Sequence, residues 1–146
     1  MVAYTSLEMT PPVYPISGVG LGGRTSHSAR GQYTVTTALA AGDTVAMFRL
    51  PPRARIKSGY IKSDAVDSGS AVTYNVGIAG TPALFFSGST VGRTGGGVDR
   101  TVAFAGVDYV TPAYQTVFLT VGAAPTTGTS GGTIVLDLTY SVEEPA

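Results

Sequence analysis

The stretch SGVGLGGRTS, Ser17 to Ser26, sets Gly18, Gly20 and Gly23 at G-x-G-x-x-G spacing. Glycines so spaced let a backbone close on a phosphate when a strand enters the loop and a helix leaves it. Neither flank fits. Proline-rich chain precedes the run, and RTSHSARG, which follows it, is a poor amphipathic helix. The run therefore reads as a hinge. A second candidate is SDAVDSGSA, which groups Asp64, Asp67 and Ser68. Two carboxylates in one loop can hold calcium, but a tight site needs several more oxygen ligands. Asp, Ser and Gly are also the residues of a turn between strands, the plainer reading. A third is the basic cluster in FRLPPRARIKSGYIK: Arg49, Arg53, Arg55, Lys57 and Lys62. On an extended chain Arg55 and Lys57 share one face. Such a face docks an acidic surface or phosphate, or protects an exposed strand edge by charge.

The material for catalysis is thin. The chain has no cysteine, which removes thiolate nucleophiles, disulfides and Cys-ligated metals. His27 is the single histidine, leaving little for acid–base work near neutral pH. No G-x-S-x-G elbow occurs. The expectation is a protein that is not an enzyme and takes no cofactor or metal. Nine basic and nine acidic residues cancel, and charged residues make up 12% of the chain, about half the usual share. A surface so poor in charge argues against nucleic acid as a partner and suits a protein packed against others. No apolar run approaches the roughly 20 residues that span a membrane. MVAYTSLEMT has neither a basic nor an apolar signal-peptide region, so a chain made and used without secretion is expected.

The elements that would position these residues are strands. In TIVLDLTYSV, Ile134, Leu136, Leu138, Tyr140 and Val142 fall on one face and Val135, Asp137, Thr139 and Ser141 on the other, the period of a half-buried strand. QTVFLTVG, AVTYNVGIAG and QYTVTT repeat the alternation. DTVAMFRL lacks it, as a strand buried on both faces would, and Pro51 and Pro52 stop it. ARIKSGYIKS is out of phase by one residue, which places a bulge near Gly59. RTVAFAG reads as a short strand and AAPTTGTSGGT as a long hairpin loop. ALFFSGSTV has the makings of one helical turn, against which Gly88 and the β-branched residues count. About eight strands and no sustained helical period predict an all-β sandwich or jelly roll over residues 31–146. Residues 1–30 differ: Pro11, Pro12, Pro15 and clustered glycines block helix and ladder alike. Val2, Tyr4, Leu7, Met9, Val13, Tyr14 and Ile16 make them too apolar for an ordinary disordered tail. They read as an extended arm that orders on a partner.

The stretch from Asp43 to about Gly97 resembles small virion structural proteins of tailed bacteriophages and prophages. The resemblance lies in the "FRLP" turn at Phe48 to Pro51, the ARI…G.IKSD segment at Ala54 to Asp64, DSG at Asp67 to Gly69, and VGIAG at Val76 to Gly80. The strands QTVFLTVG and TIVLDLTYSV are also similar. The resemblance implies a capsid decoration, or cement, protein on the virion surface. Its partners would be the major capsid protein and further copies of itself, as a homotrimer. It transfers no catalytic residue. Expected contact residues are Tyr4, Leu7, Met9, Val13, Tyr14 and Ile16 in the arm and Arg49, Arg53, Arg55 and Lys57 in the body. The alternative is a tail, fibre or head–tail component whose sandwich binds glycan or protein, with Tyr109 and Tyr114 in GVDYVTPAYQ as the candidate aromatics.

Overall fold

A computed structural model describes residues 3–5 and 26–143 of the chain. They form nine strands: β1 (Ala3–Thr5), β2 (Ser26–Thr34), β3 (Thr44–Leu50), β4 (Ala54–Ser63), β5 (Tyr74–Ile78), β6 (Thr81–Ser89), β7 (Gly97–Asp99), β8 (Gln115–Val121) and β9 (Thr133–Val142). One sheet has the order β1-β3-β8-β5-β6 and the other β2-β9-β4-β7. The architecture is an all-β sandwich with no helix among the described residues.

Alternation in β9 does what its sequence dictates. Ile134, Leu136, Leu138 and Tyr140 are buried and Asp137 and Thr139 are only half-buried. Antiparallel pairing with β2 on one side and β4 on the other makes β9 central to its sheet. In the facing sheet Val117, Leu119 and Val121 of β8 and Tyr74 and Val76 of β5 complete the core. Each such side chain contributes roughly 1.5–3 kcal/mol by leaving water. The two sheets meet closely where Gly31 of β2 faces β3: a Cβ there would lie 2.6 Å from the Met47 carbonyl oxygen.

The broken alternation of DTVAMFRL has a different cause from two buried faces. The β3–β8 register slips between Ala46 and Phe48, so Met47 is an inserted residue and both Met47 and Phe48 turn into the core. Thr44, Ala46 and Arg49 stay half-buried on the other face. In β4 the corresponding slip lies between Ile56 and Ser58, with Lys57 inserted and exposed, two residues before Gly59. The ALFFSGSTV segment is not a helical turn; it belongs to β6, where Leu84, Phe85 and Phe86 are all buried beside a shifted register.

Two loop expectations are corrected. RTVAFAG is no strand: β7 ends at Asp99, and residues 104–108 form a turn. AAPTTGTSGGT is no hairpin loop, because it leaves β8 in one sheet and enters β9 in the other. From Thr34 to Thr133 only the tight β5–β6 turn, with Gly80 at φ 84°, stays within one sheet. β2 starts at Ser26, and β1 pairs in parallel with β3 through Ala3, Tyr4 and Thr5; both lie within the segment read as an arm.

Candidate functional site

The carboxylate that could have been a calcium ligand is occupied by its own chain. Asp67 is fully buried. Its Oδ1 accepts the backbone N–H of Gly69 at 2.8 Å and of Thr127 at 3.0 Å. Its Oδ2 accepts Ala71 at 3.0 Å, Val72 at 3.1 Å and Thr126 at 3.1 Å. Burial alone pushes the carboxyl pKa up, but the N–H groups of Thr127, Gly69, Ala71 and Thr126 outweigh it and hold it well below the usual carboxylate range. Asp67 thus fastens the β4–β5 loop to the β8–β9 loop. Asp64 faces elsewhere and caps the Thr133 N–H at 3.0 Å. Among the described residues no group of three or more His, Asp or Glu converges as a metal site would.

The basic residues do not form one patch. Arg49 lies on β3, its guanidinium 5.0 Å from the ring centroid of Tyr114. Arg55 lies on β4 in the other sheet, donates to Glu143 and sits 3.8 Å from Asp108. The Glu143 hydrogen bond and charge raise its pKa further. Lys57 and Arg53 are exposed. Arg53 takes a left-handed backbone, φ 60°, in the turn that follows the two prolines. That turn is held by Thr111, whose Oγ1 donates to the Pro51 carbonyl at 2.6 Å and accepts the Ala54 N–H at 2.9 Å. The Arg53 N–H donates to the Thr111 carbonyl at 2.7 Å.

A few residues before Thr111 stands an apolar projection that the sequence did not announce. Residues 103–107, AFAGV, form a turn beside β6: the Ala103 N–H donates to the Phe85 carbonyl at 2.7 Å, and the Gly106 N–H returns to the Ala103 carbonyl at 2.9 Å. On the other side the Asp108 N–H donates to the Ile56 carbonyl at 2.8 Å, and the Ile56 N–H donates to the Tyr109 carbonyl at 3.0 Å. Gly106 is required by closeness, since a Cβ there would lie 2.5 Å from the Leu84 carbonyl oxygen. Phe104 stands at the tip, 98% exposed, with Val107 at 42%. The available signal was a lone Phe among small residues with Gly following, which is turn composition.

Of the candidate aromatics, Tyr109 is packing: it meets Phe85 edge-on at 6.1 Å and donates to Gln115 at 2.9 Å. Tyr114 is half exposed and borders a shallow groove of about 290 Å³ with Ile78, Ala79, Gln115, Thr116 and Phe118. Tyr4 rests on its own chain, ring to ring with Tyr33 at 5.5 Å and 3.3 Å from the Thr37 hydroxyl. Leu7, Met9, Val13, Tyr14, Ile16 and the glycine run Gly18, Gly20 and Gly23 lie outside the described residues. His27 stacks obliquely on Tyr140 at 5.6 Å, and its Nε2 has no partner among the described residues.

No family model matches the chain, and no curated protein matches it. Solved structures do. The chain is similar to one described as "Capsid of Ralstonia phage GP4", with 26% identity and a TM-score of 0.83 over 99% of this chain and 100% of that one. It is also similar to a chain of the "Cyanophage Pam1 capsid asymmetric unit", with 26% identity and a TM-score of 0.72 over 86% of this chain and 90% of that one. A chain of the acid-stable capsid structure of Helicobacter pylori bacteriophage KHP30 shares the fold, at 13% identity and a TM-score of 0.58 over 84% and 92%.

Proposed function

We propose that this chain is a non-enzymatic structural component of a phage virion, and within the virion a decoration protein of the head shell. The observation that carries this reading is the end-to-end match to a chain from a phage capsid, 99% of one on 100% of the other. A small sandwich matched in this way suits an accessory piece on a shell. The partners in this reading are the major capsid protein and further copies of the chain, as a homotrimer on the capsid surface. The segment between β1 and β2 serves as a contact arm, and the exposed Arg53 and Lys57 add to the contact. Many weak contacts repeated by symmetry give such a protein its hold.

The experiment is co-sedimentation with purified capsids, comparing the full chain with a chain lacking residues 1–25. The cut spares β2. The full chain pellets with capsids in a saturable way, and the shortened chain stays folded but binds weaker by orders of magnitude. Equal binding by the two removes the arm from the account. Failure of the full chain to bind removes the decoration reading.

A further inference from the structure

Among the described residues, the most exposed large apolar side chain and a shallow groove lined by no charged residue complement each other. The plug is the 103–107 turn with Phe104 at its tip, its backbone tethered to β6 at Ala103 and to β4 at Asp108 by hydrogen bonds, which lowers the cost of ordering it on binding. The socket is the groove of about 290 Å³ at the end of β5 and the start of β8, floored by Ile78 and Phe118 and bordered by Ala79 and Tyr114. That volume is at or below the bottom of the range for small-molecule sites, roughly 300–1,000 Å³, and fits a single aromatic side chain. Neither the 103–107 turn nor the groove lining includes a charged residue. The nearest charge to the plug, Asp108, is already beside Arg55. Arg49 sits over the Tyr114 ring and fixes the groove wall.

We infer that Phe104 of one copy seats in the Ile78–Phe118 groove of a second copy of this chain. Plug and socket are different patches, one beside the β6 edge and one on the outer face of the same sheet, so the contact is heterologous. Such contacts either close into a ring or run on as a filament. In a closed ring every plug finds a socket, and a ring of three gives the trimer, so the inference rests on the self-associating decoration reading. The turn is too small to supply the roughly 800 Å² per partner of a stable interface by itself; it acts as an anchor within a wider contact.

Sedimentation velocity of the full chain over a range of concentrations tests this, with Phe104→Asp, Ala79→Arg and the double variant. Both positions are exposed, so unfolding temperatures stay as in the parent and report that the fold is intact. Each single substitution weakens self-association by about 30-fold or more. The double variant sets Asp against Arg across the contact and recovers much of the loss. If the parent associates and Phe104→Asp associates equally well, the inference is overturned while self-association stands. If the parent is a monomer throughout, the inference is overturned, and capsid co-sedimentation of the same sample reports separately on the decoration reading. If Phe104→Asp keeps its mass but loses capsids, the plug seats in the shell, and the second-copy assignment is overturned.

Discussion

Replacing Thr111 by Val keeps the shape of the side chain and removes its hydroxyl. Thr111 is fully buried, and its Oγ1 both donates to the Pro51 carbonyl and accepts the Ala54 N–H. Pro51 and Ala54 are themselves buried, so water cannot replace the lost partner. An orphaned buried donor or acceptor costs about 1–3 kcal/mol. With two orphans, and a small gain from the added methyl, the expected loss is about 2–4 kcal/mol. At a urea slope of roughly 2 kcal/mol per molar, the midpoint falls by about 1–2 M. Thr111→Ser is the control: it keeps both hydrogen bonds and gives up one methyl, about 1 kcal/mol. Equilibrium urea unfolding followed by tyrosine fluorescence reads all three proteins, with the slope expected to stay constant. A Val variant within about 0.3 M of the parent, or a Ser variant worse than Val, would show that packing and not the hydroxyl holds the turn.

Further expectations concern the core and the carboxylate. Asp67 has a folded pKa below its unfolded value of about 3.9, so its contribution is fully present above that pH and is lost as pH falls further. The parent's urea midpoint therefore drops between pH 5 and pH 3, and Asp67→Asn, less stable at pH 5, shows a shallower drop; parallel pH profiles refute the assignment. Gly31→Ala forces a Cβ against the Met47 carbonyl oxygen and destabilises by about 1–3 kcal/mol, an effect that thermal unfolding would show. Burial raises Tyr74 and Tyr140 to about 12, so stability declines as pH rises from about 10, where the unfolded tyrosines ionise. The Tyr140 hydroxyl has no partner among the described residues, so Tyr140→Phe is within about 1 kcal/mol of the parent at pH 7 and softens the alkaline loss; a large loss at pH 7 would reveal a partner.

What was legible in the sequence was whatever depends on the nearest neighbours along the chain. β9 and β8 announced themselves because the inserted residues of their pairings, Met47 and Lys57, lie on the partner strands β3 and β4, so their own alternation survives. β3 did not, because inserting Met47 shifts the phase of every later residue, and a bulge has no composition of its own. Val102 and Phe104 in RTVAFAG mimic alternation, but Val102 packs on the core while Phe104 points to solvent. Only the neighbouring β6 backbone, which captures Ala103, decides that. The role of Asp67 was hidden for a related reason: its Oδ atoms gather N–H groups from residues nearly sixty positions away, and the same Asp-Ser-Gly composition serves a plain turn. Basic residues close in sequence, Arg49 and Arg55, parted because the chain changes sheet between them. The phage resemblance pointed to the same class of protein as the structural matches, since its motifs are turns and strands that the fold itself requires.

The most direct test of the central claim is immunogold electron microscopy of intact virions carrying this chain, with antibody raised against the folded body. The account predicts gold distributed over the head surface and absent from the tail. Gold confined to the tail or fibres would contradict the decoration reading and favour the alternative, and unlabelled virions that release the protein only on disruption would place it inside the particle, contrary to the account.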